Sequence, residues 1–126
     1  MSGDSAVSSV RQVIDLLDGG DLDRLEPLLS PTVRFRSPPH VVQFPGNVIS
    51  YLKRERQRMP DLRLLPRAVF ADADGSRVAA TVLWSHGRLT AQVCLVFALV
   101  NGRIDEIELF GGLGRILYDV GIRGAA

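Results

Sequence analysis

Several residue types that would signal a particular chemistry are scarce in this 126-residue chain. Its single cysteine, Cys94, excludes a disulfide within the chain, and its place in an apolar strand favours a buried structural thiol. The two histidines, His40 and His86, have no carboxylate at ligand spacing, so we expect no metal site. There is also no phosphate-binding glycine loop and no nucleophile elbow, and we expect no cofactor.

Targeting signals and a charge imbalance are missing as well. Residues 1–9 lack the charged and then apolar regions of a signal peptide, and no apolar stretch approaches the length of a membrane helix. We therefore expect a cytoplasmic protein. Lys plus Arg is 15 and Asp plus Glu is 14, a net charge of +1, so neither nucleic acid nor an anionic membrane is expected as a partner.

The patterned segments that are present place helices before strands. Apolar residues at helical spacing predict a helix over 5–18, a second short helix that Asp21 caps, and a third helix over about 47–59. Alternation and turn residues predict a loop after Pro38-Pro39 through Gly46, and a hairpin at Asn101-Gly102. The predicted strands are 33–37, 63–70, 77–85, 89–100 and 103–110.

Helices first and antiparallel strands last indicate one α+β domain over residues 1–126. Val93–Val100 is apolar at every position, whereas a strand with one wet face should alternate, so we expect both faces to be covered. One face would line the interior and the other could pack against a second copy, which predicts a homodimer. The tail, 111–126, is glycine-rich, with a short helical turn predicted around residues 116–118.

Three segments resemble the nuclear transport factor 2-like superfamily: Gly20-Asp21-Leu22-Asp23, Val33 to Pro38, and Val96 to Ile104. In this order they make a resemblance that covers roughly residues 7–112. It implies a cone-shaped, curved, mostly antiparallel sheet that the N-terminal helices cover and that encloses a pocket. The superfamily includes ketosteroid isomerases, limonene-type epoxide hydrolases, SnoaL-like polyketide cyclases and non-catalytic binding or assembly domains. The fold alone therefore does not fix the chemistry.

The ketosteroid isomerases can be compared position by position. Aligned through Gly20-Asp21-Leu22-Asp23, the family's catalytic tyrosine falls on Val13, its general base on Ser37 and its second aspartate on Leu95. Val13 and Leu95 cannot donate a hydrogen bond to an enolate oxygen, and Ser37 is a poor base at neutral pH. We therefore reject this activity.

The SnoaL-like branch is the better match. In that family an acidic residue on the last strand acts as general acid or base within an aromatic, acid, aliphatic, aromatic pattern, which Ile107-Glu108-Leu109-Phe110 resembles. The resemblance implies a cofactor-free cyclase, isomerase or hydrolase with Glu108 as catalytic residue and a hydrophobic substrate such as a polyketide or terpenoid. A complete Asp-Arg-Asp arrangement, which the epoxide hydrolases need, cannot be placed. The alternative is a non-catalytic small-molecule-binding or assembly domain.

Strand pairing offers a second test of Glu108. A two-residue turn at Asn101-Gly102 would pair Leu95 with Glu108 and Phe97 with Glu106, which would put both glutamates on the pocket face. A three-residue turn would shift the strand by one position and remove this argument. The alternation of the glutamates with aliphatic residues instead favours solvent, so both placements stay open.

The remaining candidates are assigned to substrate binding. Trp84, the only tryptophan, could stack on the substrate or belong to the core or the dimer interface. Ser37, Tyr51 and His86 could orient the substrate, although helix packing also accounts for Tyr51 and a solvated turn for His86. The pocket wall is expected to be apolar: Val13, Leu17, Phe35, Leu52, Val82, Trp84, Leu95, Phe97 and Phe110.

Overall fold

The computed structural model describes residues 2–111. The elements in chain order are α1 (Gly3–Gly19), a 3-10 helix (Leu22–Leu28), β1 (Leu29–Ser37), β2 (His40–Gln43), α2 (Pro45–Arg58), β3 (Arg63–Ala71), β4 (Arg77–His86), β5 (Leu89–Val100) and β6 (Arg103–Gly111). This confirms the predicted order of helices and strands. The prediction of a loop through Gly46 missed β2, and β1 begins four residues earlier than expected. The predicted helical turn at 116–118 lies outside the described residues.

The six strands form one curved, unclosed mixed sheet in the order β2-β1-β6-β5-β4-β3. Every neighbouring pair is antiparallel except β1 and β6, which run parallel. The helices pack on one side of this sheet, which we call the inner face. The α+β fold of helices over a curved, mostly antiparallel sheet is therefore the one predicted.

The first helix is amphipathic and has a glycine cap at its C-terminus. Val10, Val13, Ile14 and Leu17 recur at helical spacing and are buried. At the C-terminus, Gly20 adopts a φ of 75° and its N–H donates to the Leu16 carbonyl. Glycine can adopt this left-handed conformation because it has no Cβ to clash with the backbone. The chain therefore turns sharply at Gly20 toward the 3-10 helix.

The inner face carries the core, and the strands alternate accordingly. Val78, Ala80, Val82 and Trp84 on β4 are buried, while the residues between them are half-buried on the other side. On β5 the buried positions are the odd-numbered residues from 93 to 99. Since successive side chains of a strand point to opposite faces, these residues all meet the helices.

A β-bulge interrupts the pairing of β5 with β6 at Asp105. Val100 pairs with Arg103, as the two-residue turn predicts, but Ala98 then pairs with Glu106 because Asp105 is an extra residue on β6. The predicted pairing of Leu95 with Glu108 is therefore wrong by one position: Leu95 pairs with Leu109, and Glu108 pairs with Val96. Both glutamates consequently lie on the outer face of the sheet.

The bulge has a specific anchor on the neighbouring strand. The Asp105 carboxylate accepts hydrogen bonds from the hydroxyls of Ser30 at 2.6 Å and Thr32 at 2.8 Å. Between these two residues stands Pro31, which has no N–H to give to a ladder, and the β1–β6 register shifts at the same place. The two irregular segments thus stabilise each other.

The outer face of the sheet carries small and apolar side chains, and no helix of residues 2–111 covers it. Cys94, Val96 and Ala98 lie in its centre on β5, and the exposed aromatic rings of Phe70 and Phe110 lie toward its sides, 64% and 47% exposed. Cys94 is thus half-buried on this face rather than in the core. None of the helices in the described part of the chain is long and apolar enough to cross a membrane.

Candidate ligand pocket

A pocket of about 100 Å³ lies between α1, the 3-10 helix, α2 and the inner face of the sheet. Its walls are mainly aliphatic and aromatic side chains, as the sequence predicted. Fifteen residues line it: Leu17, Leu22, Phe35, Ser37, Tyr51, Leu52, Glu55, Arg56, Met59, Leu62, Leu64, Trp84, Val93, Leu95 and Leu109.

Trp84 lies on the sheet side of the pocket. It sits on β4 between Leu64 of β3 and Ala91 of β5, and only 2% of its surface is exposed. Trp84 also lines the pocket, so the pocket leaves space next to the indole. A large, rigid aromatic surface in this position can stack against an apolar ligand.

The polar groups of the pocket come from two elements, β1 and α2. Ser37, at the end of β1, is 7% exposed, and Tyr51, Glu55 and Arg56 project from α2. The ring of Tyr51 contacts that of Phe35, with centroids 5.7 Å apart. A few polar groups on an otherwise apolar wall are what fixes the orientation of a small ligand.

Tyr51 stays protonated near neutral pH. Burial raises the pKa of its hydroxyl above the ordinary value of 10.0, and the negative charge of Glu55 raises this pKa further. A hydrogen bond with Ser37 and the positive charges of Arg58 and Arg54 work in the opposite direction but do not cancel the rise. The phenol can therefore donate a hydrogen bond to a ligand oxygen.

One ion pair and two further hydrogen bonds fix the helical walls of the pocket. Arg56 Nη1 donates to the Leu17 carbonyl at 3.2 Å, which ties α2 to the end of α1. Asp18 accepts from the Leu64 amide at 2.8 Å and pairs with Arg63, which ties α1 to β3. Although burial alone would raise the pKa of Asp18, these hydrogen bonds and the charge of Arg63 hold it below its usual value.

The structure brings together seven of the residues expected in the site from sequence: Leu17, Phe35, Ser37, Tyr51, Leu52, Trp84 and Leu95. Six others do not line this pocket: Val13, Val82, His86, Phe97, Glu108 and Phe110. Phe97 is fully buried in the core, and His86 lies beyond Trp84 on the same strand, with ring centroids 6.5 Å apart. Phe110 lies on the outer face because it follows the bulge.

Glu108 is also displaced from the pocket by the bulge. It neighbours Arg36 on β1, whose Nε lies 3.0 Å from Glu106 Oε1, an ion pair that lacks the alignment of a hydrogen bond. Arg36, Glu106 and Glu108 form a charged strip on the outer face. The placement that made Glu108 a catalytic candidate is therefore wrong, and the simple alternation of Glu106 and Glu108 with Ile107 and Leu109 is right.

Sequence reasoning also missed pocket residues on α2. Glu55 and Arg56 line the pocket, yet neither was among the residues expected there from sequence. The usable signal was the spacing of Glu55, four residues after Tyr51, since residues four apart share one side of a helix. Val13 and Val82, expected on the wall, are fully buried in the core behind it.

The size and composition of the pocket limit what it can hold. A cavity of 150 Å³ in another protein accepts benzene, and this pocket, at about 100 Å³, is smaller. It accommodates part of a small ring or the end of a chain, and the rest of a larger ligand such as a polyketide or terpenoid would extend beyond it. Among residues 2–111, no group of three or more His, Cys, Asp and Glu side chains could hold a metal ion.

Comparisons with known proteins agree with this architecture. The family model for the SnoaL-like domain matches residues 10–107, and the chain belongs to that family. A search of curated proteins finds no match.

Solved structures resemble the chain in fold at low sequence identity. A candidate SnoaL-like polyketide cyclase from Jannaschia sp. CCS1 has a TM-score of 0.81 and 16% identity, over 91% of this chain and 90% of that one. A candidate ketosteroid isomerase from Kribbella flavida has a TM-score of 0.74 and 20% identity, over 86% and 78%. A de novo designed protein with a curved β-sheet has a TM-score of 0.76 and 18% identity, over 95% and 99%. These likenesses establish the fold and leave the reaction to the pocket residues.

Proposed function

We propose that this chain binds a hydrophobic small molecule in the pocket and converts it, without a cofactor, by acid–base chemistry of the cyclase, isomerase or hydrolase type. The observation that carries the proposal is the composition of the pocket wall. Aliphatic side chains and Trp84 form most of it, and the polar groups are gathered on α2 and at the end of β1. Such a wall would bury the apolar part of a ligand and direct its one polar group toward Tyr51 and Ser37.

The family supports the substrate class and not a particular reaction. Structural neighbours of this chain include candidate polyketide cyclases and a candidate ketosteroid isomerase. The isomerase residues are missing here: Val13 is buried in the core, and Ser37 and Leu95 stand in the pocket where carboxylates would be needed. Among the described residues that line the pocket, the single carboxylate is Glu55.

Binding can be tested with the protein's own reporter. Trp84 is the only tryptophan, so its fluorescence reports on the pocket alone. We expect a small ring compound such as cyclohexanone to quench this fluorescence with saturation. Replacing Leu95, on the pocket wall, with Asp should abolish saturable quenching, whereas Val96→Asp on the outer face should preserve it. Linear quenching with no saturation in the native protein would contradict the proposal.

A non-catalytic binding domain is the second candidate, because the family's acid on the last strand faces away from the pocket. Conversion separates the two candidates. A binding domain would hold the ligand and return it unchanged, whereas an enzyme would release an altered product, detectable by NMR of the small molecule.

We also propose that the chain forms a homodimer through the outer face of the sheet. Phe70, Leu65, Phe110 and Val100 are exposed there, around a centre of small residues, which is unusual for a surface that meets only water. The strip of Arg36 beside Glu106 and Glu108 offers both signs of charge to a second copy. Light scattering on the purified protein would measure the mass directly.

A further inference from the structure

Two titratable side chains stand next to each other on the α2 wall of the pocket. Tyr51 and Glu55 both line it, and their spacing of four residues puts their Cβ atoms about 5–6 Å apart on one side of the helix. The two groups also interact electrostatically, since the charge of Glu55 raises the pKa of the Tyr51 hydroxyl. A carboxylate and a protonated phenol therefore face the same small space.

Glu55 is held in place from the solvent side. Its Oε1 accepts a hydrogen bond from Arg58 Nη1 at 3.0 Å. The Glu55 side chain is only 19% exposed, whereas that of Arg58 is 65% exposed. The more exposed arginine is thus paired with a largely buried carboxylate.

The spacing of the two groups suits one class of substrate. In a ketone, the carbonyl oxygen and the hydrogen on the adjacent carbon are close enough for two neighbouring side chains to reach both. A hydrogen-bond donor at the oxygen and a base at the carbon are what α-proton removal requires. The small apolar space beside Trp84 would hold the ring or chain that carries the carbonyl.

We infer that Glu55 and Tyr51 form the acid–base pair of this pocket and that its substrates are small ketones with a hydrogen on the α carbon. This inference rests on the proposed function. Glu55 takes the α proton, the C–H electron pair forms the enolate C=C bond, and the carbonyl π electrons move to the oxygen. The Tyr51 hydroxyl donates a hydrogen bond to that oxygen. The protonated Glu55, which is 19% exposed, exchanges its proton with solvent and then gives a proton back to carbon, and the carboxylate is regenerated.

Exchange of the α hydrogens of cyclohexanone in D₂O tests the step directly, with NMR of the ketone as the readout. The native protein should exceed the buffer rate. Glu55→Gln, which keeps the shape of the side chain, should lower the protein-dependent rate about 100-fold or more. Tyr51→Phe should lower it about 100-fold as well, because the oxygen loses its donor. Glu108→Gln makes the same chemical change on the outer face and should leave the rate unchanged.

Binding of cyclohexanone, followed through Trp84, separates failure of this inference from failure of the proposed function. Both pocket variants should still bind the ketone. Exchange that persists in Glu55→Gln, or binding by the native protein without any exchange, overturns the acid–base pair and leaves a binding pocket. A native protein that does not bind cyclohexanone at all overturns the proposed function and this inference with it.

Discussion

We expect Asp105 to contribute more to the free energy of unfolding than its half-exposed position suggests. Replacing it with Ala removes two hydrogen bonds at once. The bond to Ser30, whose side chain is buried at 6% exposure, is charge-assisted and contributes about 1.5–3 kcal/mol. The bond to the exposed Thr32 contributes about 0.5–1 kcal/mol. The free energy of unfolding should therefore fall by about 2–4 kcal/mol, a large share of a typical 5–15 kcal/mol.

Urea unfolding, followed by Trp84 fluorescence, measures this change. With a slope of about 2 kcal/mol per molar urea, the midpoint should move down by about 1–2 M. Asp105→Asn keeps an acceptor but loses the charge, so its loss should be about half as large. Asp61→Ala, at an exposed loop position, is the matched control and should change stability by less than about 0.5 kcal/mol. An Asp105→Ala variant as stable as this control would refute the idea that Asp105 anchors the bulge.

Three further outcomes follow from the contacts described above. Asp18→Asn should lower stability at neutral pH and flatten its acid dependence. The pKa of Asp18 is lowered in the folded protein, so its charged form stabilises the fold at pH values above the ordinary carboxyl pKa of about 4. This stabilisation is lost as the pH falls through the folded-state pKa. Urea titrations at several pH values measure the effect. Trp84→Leu should weaken cyclohexanone binding at least several-fold by calorimetry, and equal affinity would remove the tryptophan from the site. If the proposed dimer forms through the outer face, Val96→Arg should give a monomer by light scattering, while Ser50→Arg on the exposed side of α2 should leave the dimer intact. Two monomeric or two dimeric variants would argue against the outer-face interface.

The order of helices and strands could be predicted from the sequence because it depends on local patterns of residues. Val10, Val13, Ile14 and Leu17 specify the first helix, and Asn101-Gly102 specifies the β5–β6 hairpin. These signals act over a few residues and depend little on distant parts of the chain. The short strand β2 was missed because three of its four residues are exposed on an edge strand, next to two prolines.

The site was harder to predict because it depends on a contact between distant residues. Counting from the turn placed Glu108 in the pocket, and that count assumed a regular ladder. The bulge at Asp105 depends on hydroxyls more than 70 residues earlier in the chain, which no local pattern of β6 reveals. One extra residue moves every later side chain to the other face, so Leu109 enters the pocket and Glu108 leaves it.

The central proposal for this chain is that a small apolar ligand occupies the pocket on the inner face. Methyl NMR of the native protein during a titration with cyclohexanone tests this most directly. Adjacent side chains of β5 lie on opposite faces of the sheet, so their signals report on each face separately. The methyl signals of Leu95 and Val93, together with Leu109, should shift and saturate together, while those of Val96 on the outer face stay in place. Shifts confined to Val96 and its neighbours, or no saturable shift on either face, would contradict the claim.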